Sequence, residues 1–298
     1  MAHFKRIALL ANTQLPEIVD TLNRLSDFLE TGGYTVLVES KTAELIEGKN
    51  FPIFDCDNLS QQLDLVIVVG GDGSMLGAAR SMVDYDIPLL GVNRGRLGFL
   101  TDILPHEMED KLHEVLAGNF ITSDRFLLEV SVIRNGQVLS RGNALNDVVF
   151  HPGKSVRMME FELYIDGQFV YSQWSDGLIV STPTGSTAYA LSGGGPIMHP
   201  NLDAIVLVPM NPHTLSSRPI VVGGDSNIEI RVGSLNELHP LVTCDGQNDL
   251  HTEPGDLLQI AKKPQQLQLI HPVGHNFYEI CRTKLGWGSR LDSSNRNR

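Results

Sequence analysis

Cysteine is scarce in this chain of 298 residues: Cys56, Cys244 and Cys281 stand far apart and in no Cys-x-x-Cys spacing. An odd, scattered trio excludes a disulfide framework and a thiolate metal site, and it points to a reducing, cytoplasmic setting. Long apolar runs are missing too. No stretch approaches the roughly 20 residues of a spanning helix, so a soluble protein without a membrane partner is expected. Near the N-terminus, Phe4-Lys5-Arg6-Ile7-Ala8-Leu9-Leu10 is followed by Asn12, Thr13 and Gln14, too soon for a signal-peptide core, and it reads as a first strand. Nor is there a long basic run. With a net charge of −12, non-specific binding to nucleic acid is disfavoured. A polyanionic substrate would need local help from backbone amides, a few arginines or a divalent metal.

What is present is globular: hydrophobic residues make up 42% and charged residues 19%, and the length favours two domains. The first reads as α/β. Residues 5–11 (strand), 16–33 (helix) and 34–39 (strand) give the β-α-β pattern of an open parallel sheet. The apolar run 63–69, a short helical pattern from Met75 to Val83, a strand at 87–92 and a helix near 105–118 continue it. From about Phe126 the pattern is β-rich. Hairpins are expected around Asn135-Gly136 and Asp166-Gly167, with further strands at 205–209, 227–232, 241–244 and 257–261. The expected division is 1–123 for the α/β domain, with 275–298 packing back on it, and 124–274 for the β-rich domain. The tail from Ser289 to Arg298 is polar and expected to fray.

The chemistry begins at Gly70-Gly71-Asp72-Gly73-Ser74, between an apolar strand and a helix. A strand, glycine turn and helix hold phosphate on backbone amides and a helix N-terminus. An acid there would repel phosphate, so Asp72 makes better sense facing a hydroxyl whose proton it accepts, which points to phosphoryl transfer onto an alcohol. The alternative is that Asp72 only caps the helix. The loop matches neither common phosphate motif. Because ligands collect at the carboxyl ends of parallel strands, Asp72 and Asn93 are expected to line one crevice.

Other segments are individually weaker. Asn146-Asp147 offers an amide for a base edge and an acid for ribose hydroxyls, or is a plain turn. The run from Ser175 to Pro196 carries six Ser and Thr hydroxyls between 181 and 192. Such density suits a purine, ribose and phosphate without net charge; otherwise it caps a helix, with Tyr189 a core aromatic. Asp245-Gly246-Gln247 reads as a hairpin turn. Arg157 and Arg218 are candidates for phosphate recognition. His151, His199, His213 and His271 adjoin or lie near prolines in apparent loops and no metal-ligating His-x-x-x-His or His-Glu pair is expected, so loop or packing roles are expected for them, and no protein-held metal. Mg²⁺ is expected to arrive with a nucleoside triphosphate.

Taken together, Gly70-Gly71-Asp72-Gly73-Ser74, Asn146-Asp147, Ser175-Asp176-Gly177, Thr182-Pro183-Thr184-Gly185-Ser186-Thr187-Ala188-Tyr189 and Asp245-Gly246-Gln247 resemble the NAD kinases in order and approximate spacing. The resemblance runs from the first strand to Lys284-Leu285-Gly286-Trp287. It implies transfer of the ATP γ-phosphoryl to the adenosine-ribose 2′-hydroxyl of NAD⁺, giving NADP⁺ and ADP, with a divalent metal. It also implies an N-terminal α/β domain, a β-rich C-terminal domain and a homotetramer or homodimer. Asp72 would accept the hydroxyl proton, with Gly73 beside the substrate and Gly70, Gly71, Gly73 and Ser74 forming the phosphate loop. Asn146 and Asp147 would contact the adenosine portion and Asp176 the nicotinamide end. Thr187, Ala188, Tyr189, Ala190, Leu191 and Ser192 would hold adenine and ribose, with Arg157 and Gln247 completing the pocket. Three positions depart from the family pattern. Asp147 stands where Glu is usual, Ser74 where Thr is frequent, and Trp174 at a substrate-binding position that is often basic, which leaves NAD⁺ against NADH preference open. A sugar-phosphate or lipid acceptor, and a non-catalytic dinucleotide sensor, are the competing readings.

Overall fold

The computed structural model describes residues 4–11, 18–46, 48–56, 63–94, 98–155, 157–234, 236–237 and 239–288. Two compact units divide the chain: Met1–Ala78 with Ile87–Ser123 and Leu269–Arg298, and Ala79–Asp86 with Asp124–Gln268.

The first unit is built on five short strands, β1 (Arg6–Ala11), β2 (Thr35–Glu39), β3 (Ile53–Phe54), β4 (Leu65–Val69) and β5 (Leu89–Val92). They lie in the order β5-β4-β1-β2-β3 with every pairing parallel. All five residues of β4 and all four of β5 are buried, as expected for strands covered on both faces. Helix α1 (Ile18–Thr31) turns Ile18, Leu22, Leu25 and Leu29 inward, a 3.6-residue repeat facing a sheet. After α2 (Ser40–Ala43) and α3 (Asp72–Met82), α4 (Met108–Leu116) adds Met108, Leu112, Val115 and Leu116 to the same core. The expected helix at 16–33 is described from Ile18 onward; positions 16 and 17, the stretch 95–97 and the tail from Ser289 lie outside the described residues.

The second unit carries strands β6 (Phe120–Arg134, from Asp124), β7 (Gln137–Ala144), β8 (Asp147–His151), β9 (Met159–Ile165), β10 (Gln168–Ser175), β11 (Gly177–Ser181), β12 (Ala204–Met210), β13 (Ile220–Gly223), β14 (Ile228–Val232), β15 (Leu241–Cys244), β16 (Asn248–His251) and the start of β17 (Leu257–Pro272). Its six-stranded sheet, β13-β12-β11-β8-β15-β16, is antiparallel throughout. Opposite it, β10, β9, β14 and β17 form a second antiparallel array. Alternation sorts the side chains: Val148, Phe150, Leu178, Val180, Ile205 and Leu207 enter the core with Phe161 and Leu258, where Phe150 meets Phe161 edge-on at 5.6 Å. The intervening Val149, Ile179, Val206 and Val208 point the other way and pack under Ala190 and Met198. Both faces of β8, β11 and β12 are therefore apolar, and the segment bearing the Ser and Thr run is the cover on the outer face.

Three expected boundaries shift. Helix α3 starts at Asp72 itself, not at Met75. Strand β17 continues past Ala261 through Lys262, Lys263 and Pro264 to Pro272; Leu269 and Ile270 pair with β5. The return to the first unit therefore begins at Leu269, six residues before the expected 275, and includes α6 (Phe277–Leu285), which follows α5 (Tyr189–Ser192) in chain order.

Candidate functional site

Strands β4 and β5 are neighbours, with Val69 opposite Val92 and the Gly70 amide donating to the Val92 carbonyl at 2.9 Å. Their carboxyl ends deliver Asp72 and Asn93 to the same edge of the sheet. Asp72 is not a simple helix cap: its Oδ2 accepts the Phe99 amide at 2.9 Å and its Oδ1 the Leu100 amide at 3.0 Å. The turn carrying those amides is closed by Gly98, where a Cβ would lie 2.2 Å from Asp72 Oδ1, so only glycine allows the approach. Asn93 Nδ2 in turn donates to Thr101 Oγ1 at 2.6 Å. The carboxylate is thereby fixed in direction, while its two oxygens keep acceptor capacity beyond the two amides. Gly73 beside it is exposed, and Ser74 is partly so.

In the second unit a cleft of about 760 Å³ is lined by Asn146, Asp147, Asp176, Ala188, Tyr189 and Asp245, among others. That volume suits a small-molecule or cofactor ligand. Asp147 is 4% exposed, and its carboxyl has no hydrogen-bond partner among the described residues. Burial, reinforced by the charge of Asp245, pushes it up to about 7. Asp176 accepts the Asn211 amide at 2.8 Å. Tyr189 is 46% exposed at the cleft instead of being a core aromatic.

Four hydroxyls of the run, on Ser181, Thr182, Ser186 and Thr187, bond to backbone. Thr182 Oγ1 donates to the Leu145 carbonyl at 2.6 Å and Ser181 Oγ to the Asn146 carbonyl at 3.0 Å. Ser186 Oγ donates to the Pro183 carbonyl and accepts the Met198 amide. Thr187 Oγ1 reaches the Thr184 carbonyl at 3.4 Å. These groups satisfy backbone and fasten the turn to the 145–147 segment, because a buried hydroxyl without a partner is costly. A Cβ at Gly185 would sit 2.1 Å from the Asn146 carbonyl oxygen. The turn is drawn tight, and Ala188 and Tyr189 are what it presents to the cleft.

Beneath the cleft lies a group that sequence reading took for a turn. The Asp245 side chain is fully buried and receives the amides of Leu145, Asn146 and Asp147 at 3.1, 2.7 and 3.3 Å, and Arg80 Nη1 at 2.6 Å. The turn does exist, with Asp245 at φ 53°. Its carboxylate points inward, however, and sets the backbone of the predicted Asn146-Asp147 pair.

Family models match both parts of the chain: the ATP-NAD kinase N-terminal domain over residues 7–120 and the ATP-NAD kinase C-terminal domain over residues 145–272. The chain belongs to the NAD kinase family. It is 59% identical over 291 residues to an NAD kinase of Azotobacter vinelandii, covering 98% of this chain and 99% of that one. A second NAD kinase, from Hahella chejuensis, is 59% identical over 292 residues with the same coverage. The fold is shared with yeast NADH kinase complexed with NADH, at a TM-score of 0.87 and 24% identity over 97% of this chain and 90% of that one. An Archaeoglobus fulgidus NAD kinase in complex with ATP superposes at a TM-score of 0.71, again at 24% identity, over 95% of this chain and all of that one. The expected NAD kinase architecture, α/β then β-rich, is the one found.

Some residues assigned by the resemblance to NAD kinases stand outside the lining of the cleft. Gln247 adjoins it in sequence and accepts Arg80 Nη2 at 2.5 Å. Arg157 is exposed and paired with Glu237; Arg218, a phosphate candidate by residue type alone, donates to the carbonyls of Leu215 and Ser217. Trp174 is 48% exposed on β10. Of α5, Ala190 is buried in the apolar layer and Leu191 and Ser192 follow it. The reading missed a polar chain in the cleft wall: the Gly153 amide donates to His151 Nδ1 at 3.2 Å, His151 Nε2 meets Thr243 Oγ1 at 2.7 Å, and Thr243 donates to Asp249 at 2.6 Å. Burial lowers the His151 pKa, and acceptance from Gly153 places its ring proton on Nε2. Only strand alternation on β8 and β15 could have signalled this, since His151 and Thr243 lie on separate strands.

Proposed function

We propose that this chain phosphorylates the 2′-hydroxyl of the adenosine ribose of NAD⁺ with ATP, forming NADP⁺ and ADP. The observation that carries it is the fixed direction of Asp72: a carboxylate in a glycine loop at the carboxyl end of a parallel strand, with both oxygens anchored on amides and lone pairs to spare. Such an acid serves a hydroxyl acceptor better than it serves phosphate. Phosphoryl transfer asks mainly for in-line positioning and charge neutralisation, with a base for the attacking hydroxyl. Asp72 takes the hydroxyl proton with Gly73 beside the substrate, and in the loop of Gly70, Gly71, Gly73 and Ser74, whose Gly70 amide is held by the Val92 carbonyl, the Gly71 amide and the Ser74 hydroxyl take phosphate oxygens. Asn146 and Asp147 bind the adenosine portion, and Asp176 the nicotinamide end. The 187–192 turn holds adenine and ribose through its backbone and Tyr189, with Arg157 and Gln247 at the periphery. Trp174 offers no charge to the cofactor.

A single loop carboxylate with free acceptor capacity, together with phosphate oxygens and water, matches the oxygen donors Mg²⁺ takes, so the loop fits a cation brought with ATP. When bound, that cation neutralises charge on the β- and γ-phosphates. The active form is a cytoplasmic homotetramer or homodimer.

The test is NADP⁺ formation from ATP, Mg²⁺ and NAD⁺ by the wild type and by Asp72→Asn. A positioned base contributes on the order of 10² to 10⁴ in rate. Loss of that size in kcat with NAD⁺ binding retained is the expected outcome. Unchanged turnover removes the base role. No product from the wild type, with NAD⁺ still bound, turns the reading to another acceptor or to a sensor.

A further inference from the structure

His271 and His275 stand four residues apart across a Pro-Val-Gly turn, a spacing easily passed over because it joins the end of β17 to the start of α6 instead of lying on a helix. Both are in the first unit, and both turn Nδ1 to the same carboxylate oxygen. Asp102 Oδ2 contacts His271 Nδ1 closely and His275 Nδ1 at 3.1 Å. The two imidazoles stack with centroids 4.0 Å apart. His271 Nε2 is engaged by Ser123 Oγ at 3.2 Å. The other carboxylate oxygen, Asp102 Oδ1, is buried without a hydrogen-bond partner among the described residues. The Asp102 side chain is 9% exposed. A buried acceptor left without a partner is costly and calls for an explanation.

We propose that Asp102, His271 and His275 form a binding site for a late first-row divalent cation of the Zn²⁺ type. One ligand atom from each residue lies within 4.8 Å of the others. Tetrahedral ligation at about 2.0–2.1 Å separates ligand atoms by roughly 3.3 Å, so small side-chain adjustments suffice. Two imidazoles and one carboxylate are a donor set that late first-row cations prefer to the all-oxygen set of Mg²⁺. With its Nε2–H donating to Ser123 Oγ, His271 has the outer hydrogen bond that orients a ligating imidazole and leaves its Nδ1 lone pair for the cation. A recess of about 330 Å³, lined by Asp102, His275, Glu107 and Glu279 among others, reaches the cluster and gives a path of entry and room for a bound water. The site ties the end of β17, the start of α6 and the segment after Thr101 to one point.

The untagged full chain, stripped with chelator and free of nucleotide, is titrated with Co²⁺ and with Zn²⁺, following visible d–d absorption and calorimetric stoichiometry. One cation per chain is expected, with a rise in Tm. His275→Phe keeps a stacked ring and removes the ligand. Because loss of a mere outer-shell partner costs 10–100-fold, this variant should weaken binding by at least about a hundredfold. Circular dichroism and retained NADP⁺ formation verify that it is folded. No saturable binding by the wild type, or the same affinity and stoichiometry in folded His275→Phe, overturns the proposal and leaves the three groups a hydrogen-bonded cluster.

Discussion

Asp147 is a carboxyl group that folding has moved into the range where it titrates at physiological pH. Its ordinary value is 3.8, and in the folded chain it lies at about 7, through burial first and the Asp245 charge second. A raised carboxyl means that the folded state keeps a proton the unfolded state has released. The resulting stability is fully present below about pH 4 and is lost as the pH rises to about 7, levelling off above that. At about 1.4 kcal/mol per unit, the loss is on the order of 4 kcal/mol. Asp147→Asn should therefore remove most of this slope, and denaturant midpoints measured from pH 5 to 8 should converge in the variant while they fall in the wild type. If the ionised group accepts a ribose hydroxyl, KM for NAD⁺ should also fall as the wild type passes through pH 7, and this dependence should vanish in Asp147→Asn.

At the scale of elements, the 145–147 segment is shaped from below. Asp245 holds three successive amides, and Arg80 supplies the charge that makes its burial tolerable. Arg80→Met should leave an uncompensated buried carboxylate and cost about 3–5 kcal/mol in denaturant unfolding, with Asp245→Asn in the same chain restoring part of it. Elements such as these were unevenly legible. The strands of the parallel sheet were readable because β4 and β5 are apolar on both faces, and the hairpins at 135–136 and 166–167 because their turn residues are unambiguous. The second half of β17 was hidden by Lys262, Lys263 and Pro264, residues that argue against a strand. The glycine loop announced its acid, but the amides that orient Asp72 come from residues 99 and 100, and no local pattern reveals a contact made 27 positions away. Asp245 was hidden for the opposite reason: its local pattern was a sufficient account of a turn and gave no sign of where the carboxylate points.

For the whole molecule, a net charge of −12 means that anionic nucleotides are bound against the mean field, so recognition rests on aligned amides and shape more than on attraction at a distance. It also makes the integrity of the fold around each amide a condition of function. The inward-facing hydroxyls of the 181–187 turn then acquire a meaning for inheritance. In a library of single substitutions scored separately for cellular abundance and for growth dependent on NADP⁺, alanine at Thr182 or Ser186 should lower abundance, since each leaves buried backbone groups unsatisfied and the cell clears the unfolded fraction. Changes at Tyr189 should leave abundance intact and lower growth alone. A stretch that looks in sequence like one uniform ligand-binding signature would separate into two classes of allele, those that deplete the protein and those that blunt it.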